Sequence, residues 1–258
     1  MKNLRIVLIG SGNVATQLAK AFTQSGCVIE QIYSRTTQAA KSLAKQYQCS
    51  FTTNLIDIYT HADLYVYAIK DDALKDIISS IKPTNGLHIH TAGSLSLTIF
   101  EGFQQNYGVW YPFQTFSKKR AVDFTNIPIL YEGNTTDNEL VLAALAKKIS
   151  RHSLYCSSEQ RKAVHLSGVF ACNFTNHLYA IAAEILEESG LSFNILLPLI
   201  SETAAKVKEL SPCEAQTGPA VRYDNQIIEK HEEALANKPN EQEMYRLISK
   251  NIFKRSTH

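Results

Sequence analysis

Residues 4–15 read Leu4-Arg5-Ile6-Val7-Leu8-Ile9-Gly10-Ser11-Gly12-Asn13-Val14-Ala15, a short apolar strand that runs straight into a glycine turn. Gly10-Ser11-Gly12-Asn13-Val14-Ala15 is the G-x-G-x-x-A form of the dinucleotide fingerprint. In that motif the first glycine makes the tight turn, the second lets a pyrophosphate approach the backbone, and the small third residue lets the next helix pack on the sheet. Val14, Leu18, Ala19 and Phe22 follow at helical spacing, so the turn opens an amphipathic helix. The free N–H groups and positive dipole end of such a helix favour an anion. A strand-turn-helix without ligand, or one that takes S-adenosylmethionine, shares the same outline.

The end of the second strand separates these readings. An NAD site carries an acidic residue about 20 residues beyond the glycines, whereas an NADP site places a cation near the 2′-phosphate. Here the tip reads Ser34-Arg35-Thr36, with no carboxylate. Arg35 suits a phosphate fork or an adenine face, and the two hydroxyls add donors, which points to NADP and away from S-adenosylmethionine. Ligands of doubly wound sheets sit beyond the carboxyl ends of the strands. The loops after the fourth and fifth strands, Ala68-Ile69-Lys70-Asp71 and Thr91-Ala92-Gly93-Ser94, are therefore expected to face the cofactor.

Working outward, β-type runs alternate with helical patterns as far as residue 155, the signature of β-α units around a parallel sheet. Strands are expected at 5–9, 28–34, 50–52, 64–68, 87–91, 109–111, 127–131 and 153–155, with helices at 14–24, 38–46, 56–59, 73–81 and 139–149. Beyond Ser158 the pattern becomes helical, over 159–188, 193–210, 224–236 and 241–253, with Gly190, Pro212, Gly218-Pro219 and Pro239 as breaks. The expected architecture is a doubly wound Rossmann domain over residues 1–155 and an all-α domain over 156–258.

Composition narrows the function. With 258 residues, 45% of them hydrophobic, and a net charge of +2, the chain can build a large core and has no nucleic-acid signature. Lys118-Lys119-Arg120 is its longest basic run and reads as a solvated loop. Five scattered cysteines without C-x-x-C spacing point to reduced thiols in a cytoplasm rather than zinc or disulfides. The opening apolar run is too short for a signal peptide, and no stretch approaches a membrane span.

The stretch 163–186 is apolar almost all round, which implies burial on several sides, yet it contains His165, Asn173, Asn176 and His177. At about 100° per residue His165 and Asn176 share a face, with Asn173 about 80° away. Such a strip either lines a cleft or hydrogen-bonds within the core. In Thr217-Gly218-Pro219-Ala220-Val221-Arg222-Tyr223-Asp224, Asp224 is a good N-cap for the next helix. Arg222 beside a rigid turn suits an anionic substrate group or a salt bridge to Asp224 or to a partner subunit. His231 lies about 10 Å along the helix from Asp224, too far for a direct pair.

The glycine loop, Ser34-Arg35-Thr36, the run from Ala62 to Leu74, His90-Thr91-Ala92-Gly93-Ser94-Leu95, Pro112-Phe113-Gln114-Thr115-Phe116 and the 217–224 segment with His231 resemble a Rossmann-like NADP oxidoreductase family. Its C-terminal part is a helical domain of unknown function. That family is similar to pyrroline-5-carboxylate reductase and, more distantly, to the 6-phosphogluconate dehydrogenase superfamily. The resemblance implies a 6-phosphogluconate dehydrogenase-like helical half, a homodimer formed through it, and an active site between the domains. Where relatives carry His before the proline of Pro-x-x-Thr-Phe, this chain has Tyr111. Where the hydroxyacid-dehydrogenase branch has Lys four residues before Asn, it has Val169 before Asn173. With the resemblance, His165 becomes the candidate general acid, Asn173 the group that orients substrate or carboxamide, and Arg222 the anion holder. The expected activity is NADP-dependent hydride transfer to or from a small carbonyl or imine, with no metal, no nucleic acid and no membrane. The alternative is a non-catalytic NADP sensor or scaffold.

Overall fold

The computed structural model describes residues 3–256. Eight strands form one sheet: β1 (Arg5–Ile9), β2 (Val28–Tyr33), β3 (Ser50–Thr52), β4 (Leu64–Tyr67), β5 (Leu87–His90), β6 (Tyr107–Pro112), β7 (Ile129–Gly133) and β8 (Ser153–Tyr155), in the order β3-β2-β1-β4-β5-β6-β7-β8. The chain starts at β1, winds outward to β3, then crosses back to β4 on the other side of β1. The glycine turn at the end of β1 therefore opens at the topological switch point, where doubly wound sheets bind ligands.

β1 is buried on both faces, which is why it reads as a continuous apolar run. Ile6 and Leu8 pack into one core with Leu18 and Phe22 of α1 (Asn13–Gln24), Leu43 of α2 (Thr37–Tyr47) and Trp110. Val7 and Ile9 face the other core, with Tyr65, Tyr67, Phe100 and residues Ile77 and Ile78 of α3 (Leu74–Ser80). Each fully buried aliphatic side chain contributes about 1.5–3 kcal/mol. α4 (Thr136–Ile149), capped by Thr135, closes the first face with Leu142 and Leu145.

The sheet is mostly parallel, as expected, with one antiparallel pairing. β7 pairs antiparallel with β6, and β8 follows β7. The β6–β7 connection closes on itself at one end of the sheet, where Phe113 N–H donates to Pro128 O at 2.8 Å, so the chain turns back instead of crossing over. The expected helix at 56–59 is a 3₁₀ turn, Leu55–Asp57.

Contacts divide the chain into one unit that ends at Cys172 and a second that starts at Asn173, later than the expected break at 155/156. The physical reason lies in α5 (Ser158–Gly168). Its Arg161 pairs with Glu132 of β7 at 2.8 Å, and its Ser158 donates to the same carboxylate at 2.7 Å, so this helix belongs to the sheet. A π-helical turn, Val169–Phe174, follows.

The second unit contains α6 (Thr175–Glu188), α7 (Leu197–Lys206), α8 (Pro219–Arg222), α9 (Asn225–Ala234) and α10 (Pro239–Ser256). Asp224 caps α9, accepting from Ile227 N–H at 3.4 Å. Tyr223, in the left-handed region at φ 51°, lays its ring on Phe253. The run 193–210 is shorter than expected as α-helix, opening with a 3₁₀ turn, Phe193–Leu196. The burial expected for 163–186 is not found: α6 has no buried residue, and Leu178 and Ile185 are exposed.

Candidate functional site

A cavity of about 650 Å³ opens at the switch point of the first unit, within the size range of ligand sites. Its floor is the glycine turn. Gly10 sits at φ 127°, and a Cβ there would come within 2.2 Å of Ala68 O, so only glycine allows β1 to turn against the end of β4. At Gly12 a Cβ would meet nothing within 4 Å, so protein packing does not require that glycine. No side chain caps α1 at Gly12, which leaves the first-turn N–H groups of Asn13 and Val14 facing the cavity. This open cradle fits a dinucleotide pyrophosphate.

One wall is the tip of β2. Ser11 Oγ donates to Ser34 Oγ at 2.8 Å, which ties the glycine turn to the strand that carries Arg35. Ser34 and Arg35 line the cavity; Thr36 lies one residue beyond, as the N-cap of α2. Ala68, Ile69 and Lys70, after β4, form part of the opposite wall. There Ser94 also hydrogen-bonds the Asp71 carboxylate.

At the far end Thr91, Ala92 and Gly93 meet Tyr111 and His165. Tyr111 is the last residue but one of β6, His165 lies on α5, and the phenol oxygen is 3.2 Å from His165 Nδ1. A Cβ on Gly93 would lie 2.7 Å from His165 Nδ1 and 2.8 Å from the Tyr111 ring, so the loop packs directly on this pair. Burial, reinforced by the Asp71 carboxylate, pushes the Tyr111 phenol above its ordinary value and keeps it a hydrogen-bond donor.

Behind the loop lies a buried polar frame. Arg161, one turn before His165, donates to Leu95 O at 2.6 Å, and Leu97 N–H donates to Ser158 Oγ at 3.2 Å. His90 accepts from Ala92 N–H through Nδ1 at 3.2 Å and reaches Ser96 O through Nε2 at 3.3 Å. Burial, with the nearby Arg161 charge, pushes His90 down to about 3, so it holds the loop as a neutral group.

Asn173 and Arg222 belong to the second unit. Asn173 is exposed on the π-helical turn, and Arg222 ends α8. Among the described residues Arg222 has no ion pair; the Asp224 carboxylate caps α9 instead. His231 Nδ1 lies 2.9 Å from the Tyr245 hydroxyl. Sequence reasoning did not select Tyr111 or Lys118 as site residues, yet both line the cavity of the first unit.

Residues 5–90 match the family described as NADP oxidoreductase, coenzyme F420-dependent, and residues 127–252 match a domain of unknown function, DUF2520. A Bacteroides fragilis protein provisionally described as an NADP oxidoreductase is 46% identical over 98% of both chains, with a TM-score of 0.91. This chain belongs to the NADP oxidoreductase family. A Thermotoga maritima protein of similar fold is 22% identical over 98% of this chain and 100% of its own, with a TM-score of 0.81. The 1-pyrroline-5-carboxylate reductase of Streptococcus pyogenes shares the fold at 13% identity over the same shares, with a TM-score of 0.66. No curated protein matches the chain. Among the described residues no helix is long and apolar enough to cross a membrane, and no group of three or more His, Cys, Asp or Glu side chains could hold a metal.

Proposed function

We propose that this family member is an NADP(H)-dependent reductase or dehydrogenase of a small carbonyl or imine compound. One observation carries the reading: a hydrogen-bonded phenol-imidazole pair packs on the Gly93 loop in the same cavity as an uncapped glycine cradle. The glycine turn would hold the pyrophosphate, Ser34 and Arg35 the 2′-phosphate, with Thr36 beside them, and Lys70 a further anionic group. The Thr91–Gly93 loop would face the nicotinamide, and the bound cofactor would supply the hydride chemistry. The residues then have to position the acceptor and hold a proton. His165 would give that proton to the acceptor, with the Tyr111 hydroxyl orienting the ring through Nδ1. Asn173 is proposed to orient the substrate and Arg222 to hold an anionic group on it. The helical unit is proposed to join two copies into a homodimer.

NADPH and NADH titrations followed by thermal shift test the cofactor, and NADPH should stabilise the protein the more. Oxidation of NADPH is then followed by absorbance with cyclic imines, 2-oxo acids and aldehydes. Turnover of any class supports the enzyme. Tight binding with a silent panel favours the sensor, and absence of binding overturns the reading.

A further inference from the structure

The loop between β6 and β7 leaves the carboxyl end of β6, the edge on which the glycine turn lies, and carries Lys118. It is fastened to α1. Gln17, one turn beyond Asn13 and 3% exposed, donates through Nε2 to Ser117 O at 2.7 Å and to Arg120 O at 3.0 Å. Both amide protons of a buried side chain thus go to carbonyls that bracket Lys118. Burying an amide is costly unless its hydrogen bonds are made, so the loop and the helix are held in register by this one residue. Of the Lys118-Lys119-Arg120 run, Lys118 is the member that lines the cavity, together with Gly12, Asn13 and Val14. Arg35 lies at the β2 tip; Lys118 shares the cavity with the first-turn residues of α1, where helix geometry favours a phosphate, and its loop is tied to the same helix through Gln17.

We propose that Lys118 is a pyrophosphate-binding cation of the dinucleotide site and that Gln17 is the positioning residue that keeps it there. The inference rests on reading this cavity as the NADP(H) site. A lysine is a compact point charge on a flexible stem, suited to the diffuse charge of a pyrophosphate, whereas the planar Arg35 fork suits a terminal phosphate. The pyrophosphate is common to NADPH and NADH and the 2′-phosphate is not, so the two cations have different signatures.

The test titrates the full chain with NADPH and with NADH, following nicotinamide fluorescence across a salt series. Wild type, Lys118→Met, Arg35→Ala, Gln17→Ala and the Lys118→Met/Gln17→Ala double variant are compared, with unliganded melts as the check on folding. Lys118→Met should weaken both cofactors alike, by about 5- to 30-fold, and flatten the salt dependence. Gln17→Ala should weaken both by a smaller factor and cause no further loss in the Lys118→Met background, because it acts through that side chain. Unchanged affinity in a folded Lys118→Met protein overturns the inference while leaving the cofactor reading intact. Loss of NADPH affinity alone would move Lys118 to the 2′-phosphate and overturn the pyrophosphate assignment. Additive losses in the double variant would overturn the positioning role of Gln17. Wild type that binds neither cofactor overturns the reading itself, and this inference with it.

Discussion

Arg35, at the tip of β2, is the residue on which cofactor choice turns. On the proposed reading, replacing it with alanine removes a charge-assisted fork to the 2′-phosphate, a group that NADH lacks. Arg35→Ala should therefore weaken NADPH by about 10- to 100-fold while leaving NADH near its starting affinity. Equal losses in the two titrations would refute the assignment. Gly93 is as restrictive in a different way. The Cβ of Gly93→Ala would sit 2.7 Å from His165 Nδ1, and the ring can escape only by leaving Tyr111. Overpacking of this kind costs about 1–3 kcal/mol. The variant should melt earlier and lose at least tenfold in turnover; wild-type kinetics would show that the loop is looser than its packing indicates. These two residues also mark what could be read from the chain alone. Gly10, Gly12 and Arg35 act through local backbone and strand-end chemistry, so a short window contains their meaning. Tyr111 and His165 are 54 residues apart and become a pair only when β6 and α5 meet. No spacing rule reports that approach, and the resemblance marks Tyr111 only as standing where relatives carry His.

At the scale of elements, β5 and α5 hold the site from behind. β5 has two histidines on one face, both fully buried and both against Phe100. His88 lies between Tyr67 and Thr84, with Nδ1 2.9 Å from the phenol and Nε2 2.8 Å from the hydroxyl. Burial pushes His88 down to about 3, as it does His90. In the unfolded chain each takes a proton near the ordinary value of about 6.5, so between pH 6.5 and 3 the unfolded state binds more protons than the fold. Stability is therefore fully present above pH 6.5 and is lost as the pH falls. The loss is about 2 kcal/mol per histidine by pH 5, at about 1.4 kcal/mol per pH unit. Urea melts at pH 7.5 and pH 5 should show this slope, and His88→Gln should flatten part of it; an unchanged slope would place the acid sensitivity elsewhere. α5 has the complementary device in its buried Arg161–Glu132 pair. Glu132→Gln leaves a buried guanidinium without its counter-charge and should cost about 3–5 kcal/mol in chemical denaturation. Neither frame was visible in the sequence, although the strands and helices that build it were. Apolar runs and turn residues mark where an element is, whereas the reversal of β7 depends on where a long loop closes. Likewise, membership of α5 in the first unit depends on Arg161 and Ser158 finding the Glu132 carboxylate.

The largest scale raises the question of what covers the helical unit. Its sequence is rich in apolar residues at helical spacing, yet α6 has no buried residue, and Leu191, Ile195, Leu197, Leu199, Leu210 and Leu247 all stand in contact with solvent. Single exposed leucines are common, but a series of this length within one unit marks an interaction surface. A second copy is the proposed occupant because it is always present at the chain's own concentration and presents the same apolar helices in return, as a two-fold interface requires. The consequence can be measured without a substrate. Light scattering after gel filtration should give twice 28.8 kDa, and the melting temperature should rise with protein concentration. Leu199, 62% exposed on α7, is the natural place for a charge. Leu199→Lys would bury an ammonium in an interface that includes it, and the protein should then elute as a monomer with its β5 acid transition intact. A Leu199→Lys protein that stays dimeric would place α7 outside the interface, and a wild-type monomer of 28.8 kDa would refute the self-association outright.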